Sequence, residues 1–268
     1  MRVITLTPSA TELVCAIGGQ SLLVGRSHDS NAPCDIENVP AVTTSTIPSG
    51  SPAEIDAAVH TAIGNSGTLH LLNRQMIDEL APDVIITQQT CNVCAVDAAT
   101  VDEAIAQLDK QPEILSLDPH SIEDVLEDVI RVGEAIDRQT SAQECMVNLR
   151  ARFCDARDRV NPYVDGPRVA VIEWAEPIYL AGHWTPGLLA AAGGQPIGPP
   201  EGMPSITVTE AELADLSPER LVIAPCGVHE NEMAPHLKRL RDLAIWPQLV
   251  TADEANVLVL DGTWSFSR

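Results

Sequence analysis

Aromatic side chains are scarce in this sequence, at 3% of 268 residues. So few rings make the four Trp the residues to locate. Basic side chains are thin as well: 16 Lys and Arg stand against 38 Asp and Glu, a formal net charge of −22. A chain of that sign has no basic patch with which to release counterions, which excludes nucleic acid and anionic membranes as partners. No apolar run approaches the roughly 20 residues that span a bilayer, so membrane insertion is not expected. Met1-Arg2 leads at once into strand-like sequence with no apolar leader. The expectation is a cytoplasmic protein, or a periplasmic one if a leader is missing from this sequence.

Catalytic signatures are lacking too. The patterns G-x-x-x-x-G-K-[ST], G-x-G-x-x-G, G-x-S-x-G and H-E-x-x-H do not occur. Carboxylates are numerous but fall mostly on helix faces, so no acid/base pair stands out. No enzyme is expected.

What the chain has is a strongly structured opening. Val3 to Leu6 is a β-branched run suited to a strand covered on both faces. Pro8 ends it. Ser9 and Glu12 have the spacing of a capping box, Leu13 and Ile17 give the following helix an apolar side, and Gly18-Gly19 offers a left-handed exit. A helix N-terminus at the end of a parallel strand is a place where ligands dock.

Further along, short strands are expected at Val39 to Thr43, Leu69 to Leu72, Asp83 to Thr87 and Glu113 to Leu117. Helices are expected over Pro52 to Gly64, Gln75 to Leu80, Ala98 to Leu108 and Ser121 to Ile136. A long, partly solvated helix follows from Ser141 to about Val160. Then the pattern restarts. Arg168 to Glu173 matches Arg2 to Leu6, and Thr185-Pro186 through Gly193-Gly194 echoes Thr7-Pro8 through Gly18-Gly19. Leu221 to Ala224 echoes Val84 to Thr87, and Asn256 to Asp261 echoes Glu113 to Asp118. Four landmarks in one order imply two similar α/β lobes, 1–138 and 166–268, joined by a helix at 139–165. The second lobe stops where a closing helix is expected.

In such a pair the carboxyl ends of the strands are expected to line a common cleft. The loops placed there are Pro8 to Thr11, Arg26 to Asn31, Gln88 to Cys94, Trp174 to Trp184, Pro225 to His229 and Gly262 to Phe266. Trp174, Trp184 and Trp264 fall within them, which suggests a flat apolar ligand face; Trp246, beside Ile245 and Pro247, suits the core. His28, next to Arg26, could hold an anionic group, and His183 a metal or a hydrogen bond.

Seven cysteines are an odd number in a chain long enough to need no staples, so most are read as reduced. Cys15, Cys145 and Cys154 sit in helical patterns as small hydrophobes. Cys91-Asn92-Val93-Cys94 is a CxxC, suited to zinc, an iron–sulfur cluster, a redox dithiol, or simply to structural or ligand-contact thiols. No second CxxC accompanies it, so zinc would need Cys226, Cys34 or His28 from elsewhere. No metal site is assigned; Cys91 and Cys94 are the candidates.

The turn Pro8-Ser9-Ala10-Thr11-Glu12 resembles that of the substrate-binding proteins of cobalamin and iron-siderophore uptake. The likeness continues through Gly25-Arg26-Ser27-His28, Leu80-Ala81-Pro82-Asp83 and Thr87-Gln88. It is nearest a leaderless branch described as cobalamin-binding proteins, at Cys91-x-x-Cys94, Glu173-Trp174, Ala181-Gly182-His183-Trp184-x-Pro186, Ala224-Pro225-Cys226-Gly227 and Asp261-Gly262. That resemblance implies an α/β fold of two Rossmann-like lobes joined by a long backbone helix, the class III periplasmic-binding type. It implies a non-catalytic binder of a corrinoid, with an ABC-type permease as a possible partner. Cobalamin is then a ligand and not a catalytic cofactor. The expected contacts are Pro8, Ser9, Arg26, His28, Gln88, Trp174, His183, Trp184, Cys226 and Trp264. A ferric chelate or haem is the alternative ligand, and a metal- or thiol-dependent enzyme using Cys91, Cys94 and Cys226 the alternative class.

Overall fold

Short runs of Val, Ile and Leu with no polar alternation must be covered on both faces, and parallel pairing between helical layers does this. The computed structural model describes residues 1–65, 69–89, 101, 104–249 and 254–266. The strands of the first half are β1 (Val3–Thr5), β2 (Leu23–Gly25), β3 (Thr43–Ser45), β4 (His70–Leu72), β5 (Val84–Gln88) and β6 (Glu113–Leu117). Its helices are α1 (Pro8–Ala16), α2 (Pro52–Asn65), α3 (Arg74–Leu80), α4 (Ile122–Ala135) and α5 (Gln139–Arg157). The chain separates into two compact units. One holds Met1–Pro48, Ala58–Pro119 and Glu123–Arg150; the other holds Ser49–Ala57, His120–Ile122 and Ala151–Arg268. Helix α5 begins in the first and ends in the second, and Ala142 is its buried residue among those described.

The first unit is built on a parallel sheet of order β2-β1-β5-β6. Its strands alternate between two buried faces. Val3, Val84 and Ile86 pack with Val14, Ile17, Val129 and Ile136 on one side, while Ile4, Leu6 and Ile85 pack with Ile77 and Val101 on the other. Each such side chain removed from water contributes roughly 1.5–3 kcal/mol. β3 and β4 form a separate antiparallel pair. The strand expected at Val39 to Thr43 therefore begins at Thr43; Ala41 makes only an isolated bridge to Arg26.

Helix α1 corrects the expected cap. Its N-cap is Thr7, whose Oγ1 accepts the Ala10 N–H at 3.3 Å, with Pro8 already inside the first turn. Proline fits the first helical position because its missing N–H would go unused there, so the helix starts earlier than Ser9 requires. No Ser9–Glu12 capping box forms. The glycine exit holds: Gly18 has φ +74°.

The second unit carries β7 (Arg168–Ala175), β8 (Ile178–Leu180), β9 (Gln195–Ile197), β10 (Ile206–Val208), β11 (Arg220–Ile223) and β12 (Val257–Val259). Its helices are α6 (Thr185–Ala191), α7 (Glu210–Asp215), α8 (Ala234–Arg241), α9 (Trp246–Leu249) and α10 (Gly262–Ser265). β7, β11 and β12 are parallel, as is β9 on the first half of β7. Two faces are again buried, one by Ala170, Ile172, Leu221, Ile223, Leu213 and Leu240, the other by Val169, Val171, Val222 and Ala224. Trp246 packs against the first of these clusters, as expected. The segment Trp174 to Trp184, expected as a loop, contains β8. The chain turns at Glu176-Pro177 and returns antiparallel to β7, where Ile178 and Leu180 complete the core. No described helix is long and apolar enough to cross a membrane.

Candidate functional site

Parallel strands end on one edge, so the residues that follow β1, β2 and β5 gather at the carboxyl edge of the first unit. A chain of hydroxyls ties them together. Thr5 and Thr11 share a hydrogen bond of 2.7 Å, and Thr11 another of 2.7 Å with Ser30. All three are buried, so this network has every reason to be satisfied internally. Pro8 and Ser9 lie at its rim, half-buried. Because Thr7 caps α1, the Ser9 hydroxyl is released from that duty and donates to Gln88 Oε1 at 3.2 Å. Ser9 and Gln88 are thus brought together from β1 and β5.

Arg26 is placed differently from its sequence role. Its Nε–H donates to the Val39 carbonyl at 2.9 Å, and Nη1 donates to Ser27 and Ser30 carbonyls at 3.1 and 2.8 Å. Those donors brace the loop after β2 against its own backbone. His28 sits in that loop. Thr43 Oγ1 accepts the His28 backbone N–H at 3.0 Å and lies 2.6 Å from ring Nδ1. Nε2 lies 3.3 Å from Asp29 Oδ2. The ring is 5.4 Å from that of His70, a residue on β4 that sequence reasoning did not single out. Nothing local marks His70. Only the β3–β4 pairing carries it to the loop after β2. Burial pushes His28 below the usual imidazole value; Asp29 pulls it back up, while His70 and Arg26 add to the lowering.

In the second unit, Trp174 lies near the end of β7, and Cys226 and Trp264 follow β11 and β12. Trp174 is held on two sides. Its Nε1–H donates to the Pro52 carbonyl at 3.0 Å, and its ring meets His236 edge-on at 4.5 Å and 80°. His236, on α8, is 3% exposed, and burial lowers its pKa to about 4. Glu173 precedes Trp174 on β7. Burial pushes its carboxyl up, opposed by a Ser205 hydroxyl. Sequence reasoning assigned neither Glu173 nor His236 a part in the site. Half-buried Cys226 is held by its backbone N–H, which donates to Glu173 O at 3.0 Å.

Trp264 is the open ring, 54% exposed. Asp261 holds it by accepting the Trp264 N–H at 3.0 Å through Oδ1, and the Glu230 N–H at 2.9 Å through Oδ2. Burial raises the Asp261 carboxyl, and these N–H groups with His229 outweigh it, so it titrates below the usual carboxylate value. Gly262 is required here: a Cβ would stand 1.7 Å from the Pro225 carbonyl oxygen. His183 and Trp184 follow β8, the antiparallel strand, and not one of the parallel ones. His183 has φ +54°, a left-handed conformation costing a non-glycine residue about 1–2 kcal/mol. Its N–H donates to Met203 O at 2.7 Å and its carbonyl accepts from Gly202 at 2.8 Å. Trp184 stands at the N-cap of α6 with no side-chain cap bond. Cys91 and Cys94 lie outside the described residues.

No family profile matches the chain, and no curated protein matches it. Solved structures do. The periplasmic vitamin B12 binding protein BtuF of Vibrio cholerae superposes with a TM-score of 0.69 at 18% identity, covering 97% of this chain and 87% of that one. An ABC transporter substrate-binding protein from Listeria monocytogenes gives 0.70 at 18% identity, covering 97% and 89%. A periplasmic heme binding protein from Pseudomonas aeruginosa gives 0.68 at 20% identity, covering 97% and 84%. With its parallel sheets and flanking helices, the chain has the α/β fold of the class III periplasmic binding proteins.

Proposed function

We propose that this protein is a non-catalytic solute-binding protein for a flat, metal-centred macrocycle, with a corrinoid such as cobalamin as its ligand. The observation that carries this reading is the exposed Trp264 ring at the carboxyl edge of a parallel sheet, in a fold shared with proteins named for vitamin B12 and heme binding. Ligands of open α/β sheets bind at that edge. Ser9 and Gln88 supply hydroxyl and amide groups at the corresponding edge of the first unit. Charge favours the corrinoid. Among the described residues after the parallel strands, Arg26 is the one Lys or Arg, and three of its donors are already used on backbone. Cobalamin is fringed mainly by neutral amides, whereas haem carries carboxylates that call for cations. Haem or a ferric chelate remains the second reading, favoured by the comparable superposition on the Pseudomonas protein.

Handing the ligand to an ABC-type permease goes with this reading, as the Listeria protein's name indicates for itself. So does work in the periplasm, the compartment named for the Vibrio and Pseudomonas proteins; the cytoplasmic expectation drawn from the opening residues has no support among them. The test is to titrate hydroxocobalamin and haemin separately, following Trp fluorescence and the ligand absorption bands. Cobalamin is expected to quench Trp emission saturably. Trp264→Ala is expected to weaken it by about 1–2 kcal/mol, roughly 5–30-fold. No change at tens of micromolar hydroxocobalamin would sink the corrinoid reading, and saturation by haemin alone would replace it with the second.

A further inference from the structure

Three metal-ligating side chains converge in the first unit beside the hydroxyl chain. His28 and Asp29 come from the loop after β2, and His70 from β4. One ligand atom of each lies within 4.8 Å of the other two. A metal ion with bonds of about 2.0–2.2 Å holds tetrahedral ligand atoms about 3.3–3.6 Å apart, and even opposite ligands no more than about 4.4 Å apart. The trio therefore has up to about 1.5 Å to close, within the reach of χ rotations of His28 and Asp29.

The surroundings fit a cation as well. When His28 carries its ring proton on Nδ1, that proton goes to Thr43 Oγ1 at 2.6 Å, the kind of outer hydrogen bond that orients metal-bound imidazoles. Nε2 then turns a lone pair toward Asp29 Oδ2 at 3.3 Å. Two acceptors at that distance repel each other unless a proton or a cation joins them. In the other tautomer the Nε2 proton does the joining, and a metal ion replaces it. Burial favours the neutral ring, which is the form that ligates. His70 is 9% exposed and fixed by strand pairing, whereas Asp29 is exposed to solvent.

We propose that His28, Asp29 and His70 form a binding site for a divalent transition-metal ion of the Zn²⁺ or Co²⁺ kind. Two imidazoles with one carboxylate suit such ions, whereas Mg²⁺ and Ca²⁺ prefer all-oxygen sites. The net charge of −22 raises the local concentration of any cation. The site is independent of the macrocycle reading and stands without it.

Cobalt(II) titrated into the full chain, with no macrocycle present, tests the site. Saturation at one equivalent is expected, with visible d–d absorption, no thiolate-to-cobalt charge-transfer band, displacement by Zn²⁺ and indifference to Mg²⁺. Asp29→Asn and His28→Gln, on exposed or half-buried positions, should each weaken binding by about tenfold or more, with far-UV circular dichroism unchanged. The proposal is overturned by an absence of saturable binding, by an affinity that these two variants leave as it was, or by a charge-transfer band that disappears in Cys91→Ser.

Discussion

The two units solve the same α/β problem with different residues. All four Trp, both Tyr and both Phe lie after Arg150, so the first unit contains no Phe, Tyr or Trp. Its core is aliphatic, and its carboxyl edge is joined by hydroxyls and amides: Thr5, Thr11, Ser30, Ser9 and Gln88. The second unit puts rings at the matching edge, with Trp174 locked on His236 and Trp264 left open. Helices α1 and α6 differ in the same way. Thr7 caps α1 through its side chain, while Trp184 stands at the start of α6 without a cap bond. Both helices have proline in the first turn and exit through a left-handed glycine, Gly18 at φ +74° and Gly193 at φ +85°. The backbone plan is repeated; the chemistry of its edge is not.

Because every Trp belongs to the second unit, Trp fluorescence reports that unit and far-UV circular dichroism reports both. The largest effect is expected from Gly262→Ala. Its Cβ would overlap the Pro225 carbonyl oxygen, a backbone atom that cannot turn aside, so a loss of more than about 3 kcal/mol is expected. The urea midpoint read by fluorescence should fall sharply, and an unmoved midpoint would show that the edge is not closed around this glycine.

Acid should come next. His236 titrates near its ordinary 6.5 when unfolded and at about 4 when folded, because burial disfavours the imidazolium. Above pH 6.5 both states are neutral and this group's contribution is complete. Between 6.5 and about 4 the unfolded chain takes up a proton that the folded one refuses, so stability declines by up to about 3 kcal/mol. Below that no further loss comes from His236. Urea melts by Trp fluorescence across this range should show the decline, and His236→Phe, which keeps an aromatic ring against Trp174, should flatten it. An equal slope in the variant would assign the decline to other groups.

The smallest effect separates the two helix starts. Thr7→Ala removes a cap oxygen and should cost about 1 kcal/mol. It should be visible as earlier amide exchange in α1 with the fluorescence midpoint in place. Trp184→Ala has no cap bond to lose, so exchange in α6 should not accelerate by the same factor. Equal losses at both helices would erase the contrast.

Much of the backbone was legible because burial on two faces demands unbroken apolar runs. Glu113–Leu117 was expected with those limits, and the strands at Val3, Val84, Arg168 and Arg220 within a residue or two. What misled were local patterns with two readings. Ser9 and Glu12 have the capping spacing, yet Thr7 with Pro8 fits the first turn better and takes the cap. Ile178-Tyr179-Leu180 lay between two Trp in an expected loop, and its strand character depended on β7 being long enough to pair with it.

By itself the amino-acid order determined the α/β class and the acidic character of the chain. Hydrophobic periodicity and charge are local or summed properties, and no fold is needed to read them. The partnerships of side chains were decided only by the tertiary structure. Arg26 was turned onto its own loop's carbonyls, Trp174 was locked against His236, and His28 met His70 through a strand pair that forms far along the chain. A hydrogen bond or a metal ligand set depends on distances of a few ångströms between remote residues, and sequence spacing carries no such information.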